Sequence, residues 1–233
     1  MPNPVIHALV VSAGTGSRFG AAVPKQYLKV ADKTVLEHSL SRLNHPFITD
    51  LTLVIAQNDT IAKTLTFCFD KPIYFAVGGA ERFLSVRSGV ASIRHRGGRD
   101  DDWVLIHDGA RPCLSFADLD KLIQTICPPF DKVGAILATP VVDTLKFVQD
   151  GIIAHTVSRE NLYHAQTPQV FRLKTLEFML DTAINQGFLI TDEASGFERL
   201  EQDVAVVMGS ATNIKLTYPD DLRLIELLLR VMR

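Results

Sequence analysis

One stretch near the start constrains the fold more than any other. Residues 5–11 form a short apolar run rich in β-branched side chains, broken only by His7. Ser12-Ala13-Gly14-Thr15-Gly16-Ser17-Arg18-Phe19-Gly20 follows at once. A run of that kind predicts a strand buried on both faces, as in a parallel sheet. Glycines placed directly after it let backbone N–H groups crowd round an anion without Cβ clashes. The spacing G-x-G-x-x-x-G is one residue longer than the dinucleotide fingerprint and lacks the G-K-[ST] ending of a P-loop. A tight strand-to-helix turn can use the same glycines, so the loop alone is weak evidence of a phosphate site.

The rest of the chain repeats the alternation. Strands are expected at 51–55, 73–77, 103–106, 133–138 and 204–208. Between them, Thr34-Val35-Leu36-Glu37 reads as a capping box, and a short helix is expected from about Asn58. Further helices should follow Gly78-Gly79, open at Ser115, run over 173–186 and 192–202, and start again near Pro219. The predicted class is α/β: a Rossmann-like, mostly parallel sheet with helices on both faces. Asp150-Gly151, between extended runs at 144–148 and 152–157, is a hairpin signal. It predicts a projecting β-hairpin arm at about 141–160 on one domain spanning 1–233. A lone two-stranded ribbon is marginal in water, so the arm should pack against a second subunit.

Composition limits the partners. With 233 residues and a formal net charge of -2, the chain has no global basic excess, and nucleic acid is excluded as a default partner. Phosphorylated ligands must be held by placed cations. No apolar run approaches the length of a membrane span, and the first residues do not read as a secretory signal. The three cysteines, Cys68, Cys113 and Cys127, match no zinc spacing and read as buried or half-buried thiols. A reducing, cytoplasmic location is expected.

Arg18 and Lys25 strengthen the phosphate reading, since charge must be offset where a triphosphate is split. Two solvated surface cations would be the plainer alternative. His107-Asp108-Gly109-Ala110-Arg111-Pro112 ends the strand at 103–106, where ligands of open α/β sheets bind. Asp108 is placed to meet Mg²⁺ or a substrate hydroxyl, and Arg111 to pair with an anion or brace its loop. His107 is read as packing.

The glycine loop with Arg18, followed by Pro24-Lys25-Gln26-Tyr27, resembles the nucleotide-binding segment of the sugar-phosphate nucleotidyltransferases. More narrowly, the chain is similar over nearly its whole length to the 2-C-methyl-D-erythritol 4-phosphate cytidylyltransferase family. Gly78-Gly79-Ala80-Glu81-Arg82-Phe83-Leu84-Ser85-Val86 is similar to that family's G-G-x-x-R-x-x-S-V, Gln166-Thr167-Pro168-Gln169-Val170-Phe171 to T-P-Q-x-F, and Asn213-Ile214-Lys215-Leu216-Thr217 to N-I-K-x-T. Two departures stand out: Ala80 where the family often has an acid, and Ser158 where Asp usually precedes the arginine.

The resemblance implies CTP and a small polyol phosphate as substrates, Mg²⁺ or another divalent cation as cofactor, and a homodimer joined through the arm. Ser12, Ala13, Gly14, Thr15, Gly16, Gly79, Ala80, Ser85 and Asp108 would hold the nucleotide. Asp108, Arg111, Thr144, Arg159, Thr167 and Lys215 would hold the acceptor, with Thr144 and Arg159 lent by the partner. Asp108 is also the candidate metal ligand, beside the CTP phosphates. Arg18, Lys25, Arg159 and Lys215 would carry catalysis by charge stabilisation and positioning. The Thr191-Asp192-Glu193-Ala194-Ser195 run matches a family pattern too, but its acids are explained by capping and the helix dipole. A ribitol 5-phosphate cytidylyltransferase is the near alternative. A nicotinamide oxidoreductase and a non-catalytic nucleotide-binding subunit are the alternatives of other classes.

Overall fold

The computed structural model describes residues 4–14 and 23–232. In chain order its strands and helices are β1 (Ile6–Ser12), β2 (Lys29–Val30), β3 (Lys33–Thr34), α1 (Val35–Ser41), β4 (Ile48–Ile55), β5 (Ile73–Val77), α2 (Arg82–His95) and β6 (Trp103–Asp108). They continue as α3 (Phe116–Thr125), β7 (Gly134–Pro140), β8 (Leu145–Gln149), β9 (Ile152–Val157), β10 (Tyr163–Arg172), α4 (Leu173–Gln186), α5 (Glu193–Arg199), β11 (Val204–Met208) and α6 (Pro219–Val231).

Among the described residues the main sheet runs β11-β7-β10-β6-β1-β4-β5. β1 pairs in parallel with both β4 and β6, β4 with β5, and β11 with β7. The mostly parallel α/β expectation is therefore met. The exception is β10, which lies antiparallel between β6 and β7. No strand was expected at 163–172. A proline inside a strand reads as a breaker because it lacks the ladder N–H. Here the pairing to β7 is interrupted between Ala165 and Gln169, and Pro168 sits in that gap.

β1 shows why the apolar run has no polar alternation. Ile6, Ala8 and Val10 face one core, shared with Leu36 and Leu40 of α1 and Leu119 and Leu122 of α3. Leu9 faces the other, with Val86 and Val90 of α2 and Leu176 and Leu180 of α4. The sheet thus carries helices on both faces. A smaller cluster ties Ile225 and Leu229 of α6 to Val35, Ala110 and Leu216.

Two expectations need correction. The helix expected from Asn58 is a single 3-10 turn, Ala62–Thr64. Asp59 Oδ1 accepts the Ile61 and Ala62 amides, both at 2.9 Å, and that local bond competes with a longer helix. Of the three thiols, Cys113 is buried and Cys127 half-buried, but Cys68 is exposed. Burial pushes the Cys113 thiol up to about 11.

β8 and β9 form the expected hairpin, antiparallel and separate from the main sheet. Its two ends meet where Val141 N donates to Leu162 O at 2.9 Å, continuing the Tyr163–Pro140 register of β10 and β7. The arm is an insertion at the tip of that strand pair.

Candidate active site

Parallel strands deliver their C-terminal ends to one edge, and four of them build the cleft. β1 and β6 are in register, Val11 opposite Asp108, and Gly109 N donates to Val11 O at 3.0 Å. Across β4, Gly78 N donates to Ile55 O at 2.8 Å. A cleft of about 340 Å³ opens between these ends. Ser12, Ala13 and Gly14 form one wall, and Gly79, Ala80 and Ser85 another. Asp108 lies at its floor, with Lys25 and Lys215 along the side. Thr15, Gly16 and Arg18 lie outside the described residues.

The first loop is braced by a residue not assigned from sequence. Gln26, buried beside Lys25, donates through Nε2 to Ser12 O at 2.9 Å and Gly14 O at 3.2 Å. Tyr27 OH donates to Asp59 Oδ2, and burial together with that carboxylate raises the phenol well above its usual value. Lys25 Nζ donates to Leu216 O at 2.5 Å. Ser12 Oγ is buried at the cleft wall with no hydrogen-bond partner among the described residues.

On the opposite wall, the Ser85 hydroxyl accepts from Gly79 N at 3.1 Å and donates to Glu81 O at 3.2 Å. It holds the Gly78-Gly79 turn against the start of α2. A Cβ on Gly78 would collide with Ala13 Cβ and approach Ser85 Oγ to 2.8 Å, so only glycine lets the two walls come this close.

Asp108 is the electrostatic hub. Its Oδ2 lies 2.7 Å from Lys215 Nζ, its Oδ1 3.2 Å from Arg82 Nε, and Arg111 Nε stands 3.6 Å away. Burial alone would raise this carboxyl. Arg82, Lys215 and Arg111 outweigh burial and hold it well below the usual carboxylate range. Arg82 extends the chain of charges, with Nη1 2.6 Å from Oε1 of the fully buried Glu193. Burial pushes the Glu193 carboxyl up, and Arg82 only partly opposes it. Neither Arg82 nor Glu193 was assigned from sequence. The arginine stood inside the quoted G-G-x-x-R-x-x-S-V run. The acid was explained as a helix-start residue, but that role belongs to Asp192 alone, whose Oδ1 accepts Ser195 N at 3.1 Å.

Arg111 and Thr167 work behind the cleft. Arg111 Nη1 donates to Asn213 O at 2.7 Å, and Leu216 N donates to Ala110 O at 2.9 Å. These bonds stitch the 107–112 turn to the 213–217 segment and aim Lys215 at Asp108. Thr167 Oγ1 accepts Asp108 N at 3.1 Å and lies 3.0 Å from His107 Nδ1. His107 Nε2 is 3.1 Å from Arg111 O, a carbonyl that can only accept. The proton therefore sits on Nε2, and Nδ1 takes the Thr167 hydroxyl proton. Burial lowers His107 to about 4, so it is neutral at pH 7.

Thr144 and Arg159 are not brought to this cleft within the chain. Both are exposed on the arm, where Arg159 Nη1 donates to Val142 O. Among the described residues, no group of three or more His, Cys, Asp or Glu side chains is placed to hold a metal ion.

A cleft at the carboxyl edge of an α/β sheet, lined by Lys25, Arg82 and Lys215, suits a protein that binds a phosphorylated ligand. The 2-C-methyl-D-erythritol 4-phosphate cytidylyltransferase family profile matches residues 6–231. A relative of that name from Psychrobacter arcticus is 43% identical, covering 94% of this chain and 89% of the relative. Another from Alteromonas mediterranea is 44% identical, covering 99% and 95%. The crystal structure of a 4-diphosphocytidyl-2C-methyl-D-erythritol synthase superposes with a TM-score of 0.84 at 36% identity, covering 98% of this chain and 100% of that one. The Francisella tularensis 2-C-methyl-D-erythritol 4-phosphate cytidylyltransferase gives 0.80 at 33% identity, covering 96% and 99%. The chain belongs to the 2-C-methyl-D-erythritol 4-phosphate cytidylyltransferase family, enzymes of the non-mevalonate isoprenoid pathway.

Proposed function

We propose that this protein transfers CMP from CTP to 2-C-methyl-D-erythritol 4-phosphate, forming 4-diphosphocytidyl-2-C-methyl-D-erythritol and pyrophosphate. Its support is Lys25 and Lys215 on one cleft, the second held 2.7 Å from Asp108, in a chain matching the family over residues 6–231. The triphosphate is assigned to the loop that begins at Ser12, whose unpartnered hydroxyl lines the cleft beside Ala13 and Gly14. The nucleoside lies against Gly79, Ala80 and Ser85. Ser85 is engaged with its own turn, so base recognition rests on backbone groups there.

The acceptor's phosphate oxygen attacks the α-phosphorus in line, and the bond to pyrophosphate breaks. A phosphate monoester is already largely ionised at neutral pH, so no general base is needed. The neutral, fully engaged His107 agrees with that. Arg18 and Lys25 offset charge on the α-phosphate and the leaving group. Lys215 orients the acceptor phosphate, with Asp108 within reach of an acceptor hydroxyl or of a metal. Arg111 and Thr167 support the acceptor side from behind.

A divalent cation supplies charge neutralisation between phosphates. The donor set fits one carried by the nucleotide's own phosphate oxygens. Asp108 already faces Lys215 and Arg82 through its two oxygens, which weighs against a strong direct bond to the metal.

Val142, Phe147, Val148, Ile152 and Ile153 are all more than half exposed on an isolated two-stranded ribbon. Docking into a second copy would cover them and bring Thr144 and Arg159 to the partner's acceptor site. A cytoplasmic setting accompanies the reading, consistent with three free thiols.

The test is pyrophosphate release from CTP and Mg²⁺ with methylerythritol 4-phosphate or ribitol 5-phosphate. Release with the first alone is expected. Release with the second alone moves the acceptor to the near alternative. Release with neither refutes the catalytic reading.

A further inference from the structure

Glu193 does not itself line the cleft, yet it is the fully buried end of a line of charges that reaches it through Arg82. The line runs from Glu193 Oε1 through Arg82 Nη1 and Nε to Asp108 Oδ1, and from Asp108 Oδ2 to Lys215 Nζ, with contacts of 2.6, 3.2 and 2.7 Å. Its members come from four separated segments: the start of α5, the start of α2, the end of β6 and the loop before α6.

Stability is a poor explanation for this arrangement. A buried ion pair recovers its desolvation cost only when its remaining polar atoms are also satisfied. Glu193 Oε2 and Arg82 Nη2 are both buried without a hydrogen-bond partner among the described residues. The pair leaves two polar atoms unmet and still places one guanidinium against one particular oxygen of Asp108. A hydrophobic pair would fill the same space without that cost.

We infer that Glu193 is a positioning residue for cytidylyl transfer: through Arg82 it fixes which Asp108 oxygen is free to hold Lys215, and so aims the Lys215 ammonium at the acceptor phosphate. The inference rests on the functional reading above and extends it to a residue outside the cleft. With Glu193 in place, Arg82 is held from both ends and takes Asp108 Oδ1, leaving Oδ2 to Lys215, with Arg111 Nε 3.6 Å from that same oxygen. With that carboxylate neutralised, Arg82 is bound only by Asp108. It then competes with Lys215 for both oxygens, and the ammonium loses its fixed direction. The nucleotide side, built on the 12–14 and 78–85 turns, keeps its own braces through Gln26 and Ser85.

The experiment uses the full-length protein and the steady-state kinetics of pyrophosphate release, with each substrate varied in turn. Glu193→Gln, which keeps the shape and removes the charge, is expected to lower kcat/KM for the acceptor by at least about tenfold, the scale of a small misplacement of a reacting group. KM for CTP should stay within about twofold of wild type. Arg82→Lys keeps a positive charge but loses the fork that bridges two carboxylates, and it should show the same split. The double variant should be no worse than the more damaged single variant, because both changes break one line. A Glu193→Gln protein with a lower melting temperature but unchanged kinetic constants would show Glu193 to be structural and overturn the inference. Strictly additive losses in the double variant would overturn it too. If Glu193→Gln does not fold, Arg82→Lys decides by the same split. Wild-type protein that releases no pyrophosphate overturns the functional reading, and this inference with it; active wild type beside an unaltered Glu193→Gln overturns this inference alone.

Discussion

Lys25 Nζ donates to Leu216 O across 2.5 Å, joining the segment after the glycine loop to the segment before the last helix. The bond sets Lys25 beside Lys215 on one cleft wall although 190 residues separate them in sequence. The ammonium is thus anchored by backbone rather than left on a free stem. Lys25→Ala should lower kcat by roughly 10²–10³, the scale for losing one placed charge-stabilising donor. Pyrophosphate release measured on a variant with wild-type circular dichroism checks this, and full activity would remove Lys25 from the mechanism.

Asp108 is surrounded by Arg82, Lys215 and Arg111, so removing its charge leaves Lys215 and Arg111 without their carboxylate and Arg82 with Glu193 alone. Asp108→Asn should destabilise the fold by about 3–5 kcal/mol, the cost of breaking one side of a buried pair. Urea unfolding measures it. The sign with pH follows from the depressed carboxyl. Its stabilising contribution is present above the ordinary carboxylate value of about 3.9 and is lost as pH falls below that toward the lowered native value. The advantage of wild type over Asp108→Asn should therefore be constant from pH 5 to 8, by the same linkage, and shrink only in stronger acid.

At the other edge of the sheet, His7 lies between two acids, 2.8 Å from Asp50 and 3.3 Å from Asp102. Burial lowers its pKa, but the two carboxylates outweigh burial and leave it raised. A raised histidine stabilises the fold below its unfolded value of about 6.5, and that contribution is lost as pH rises through the native value. Wild type should lose melting temperature relative to His7→Gln as pH increases above about 6.5. Parallel melting curves across that range would sink the assignment.

The close approach of the cleft walls that carry Ala13 and Ser85 depends on Gly78. Gly78→Ala pushes Ala13 and Ser85 apart, with a strain of about 1–3 kcal/mol expected for overpacking. KM for CTP should rise while KM for the acceptor changes little. A substrate-by-substrate KM comparison settles it, and an unchanged CTP value would show that the walls do not grip the nucleotide.

Replacing both Ile152 and Ile153 by Asp places a charge on each of the two exposed faces of the arm. Sedimentation should show the wild type as a dimer and the variant as a monomer, with KM for the acceptor raised by loss of Thr144 and Arg159 from the partner's site. A variant that remains dimeric would place the interface elsewhere.

What could be read in advance followed from local chemistry. The parallel sheet was legible because β1 carries apolar residues on both faces, and the arm because Asp150-Gly151 makes a hairpin turn. Thr34 caps α1 in the expected capping box. β10 was hidden because Pro168 interrupts a strand whose partners lie far away in sequence. Arg82 and Glu193 were hidden for a related reason: an acid at a helix start looks complete once capping explains it. Nothing in residues 191–195 shows that the second acid turns inward to meet an arginine from α2.

The arm begins and ends at one backbone bond, Val141 N to Leu162 O, at the tip of two strands that are already paired. It is therefore a cassette. A two-residue turn could replace it and leave every strand of the main sheet with its neighbours, giving a self-contained cleft stripped of whatever a second copy contributes. Exchanging arms between relatives would likewise leave the strand ends that line the cleft undisturbed.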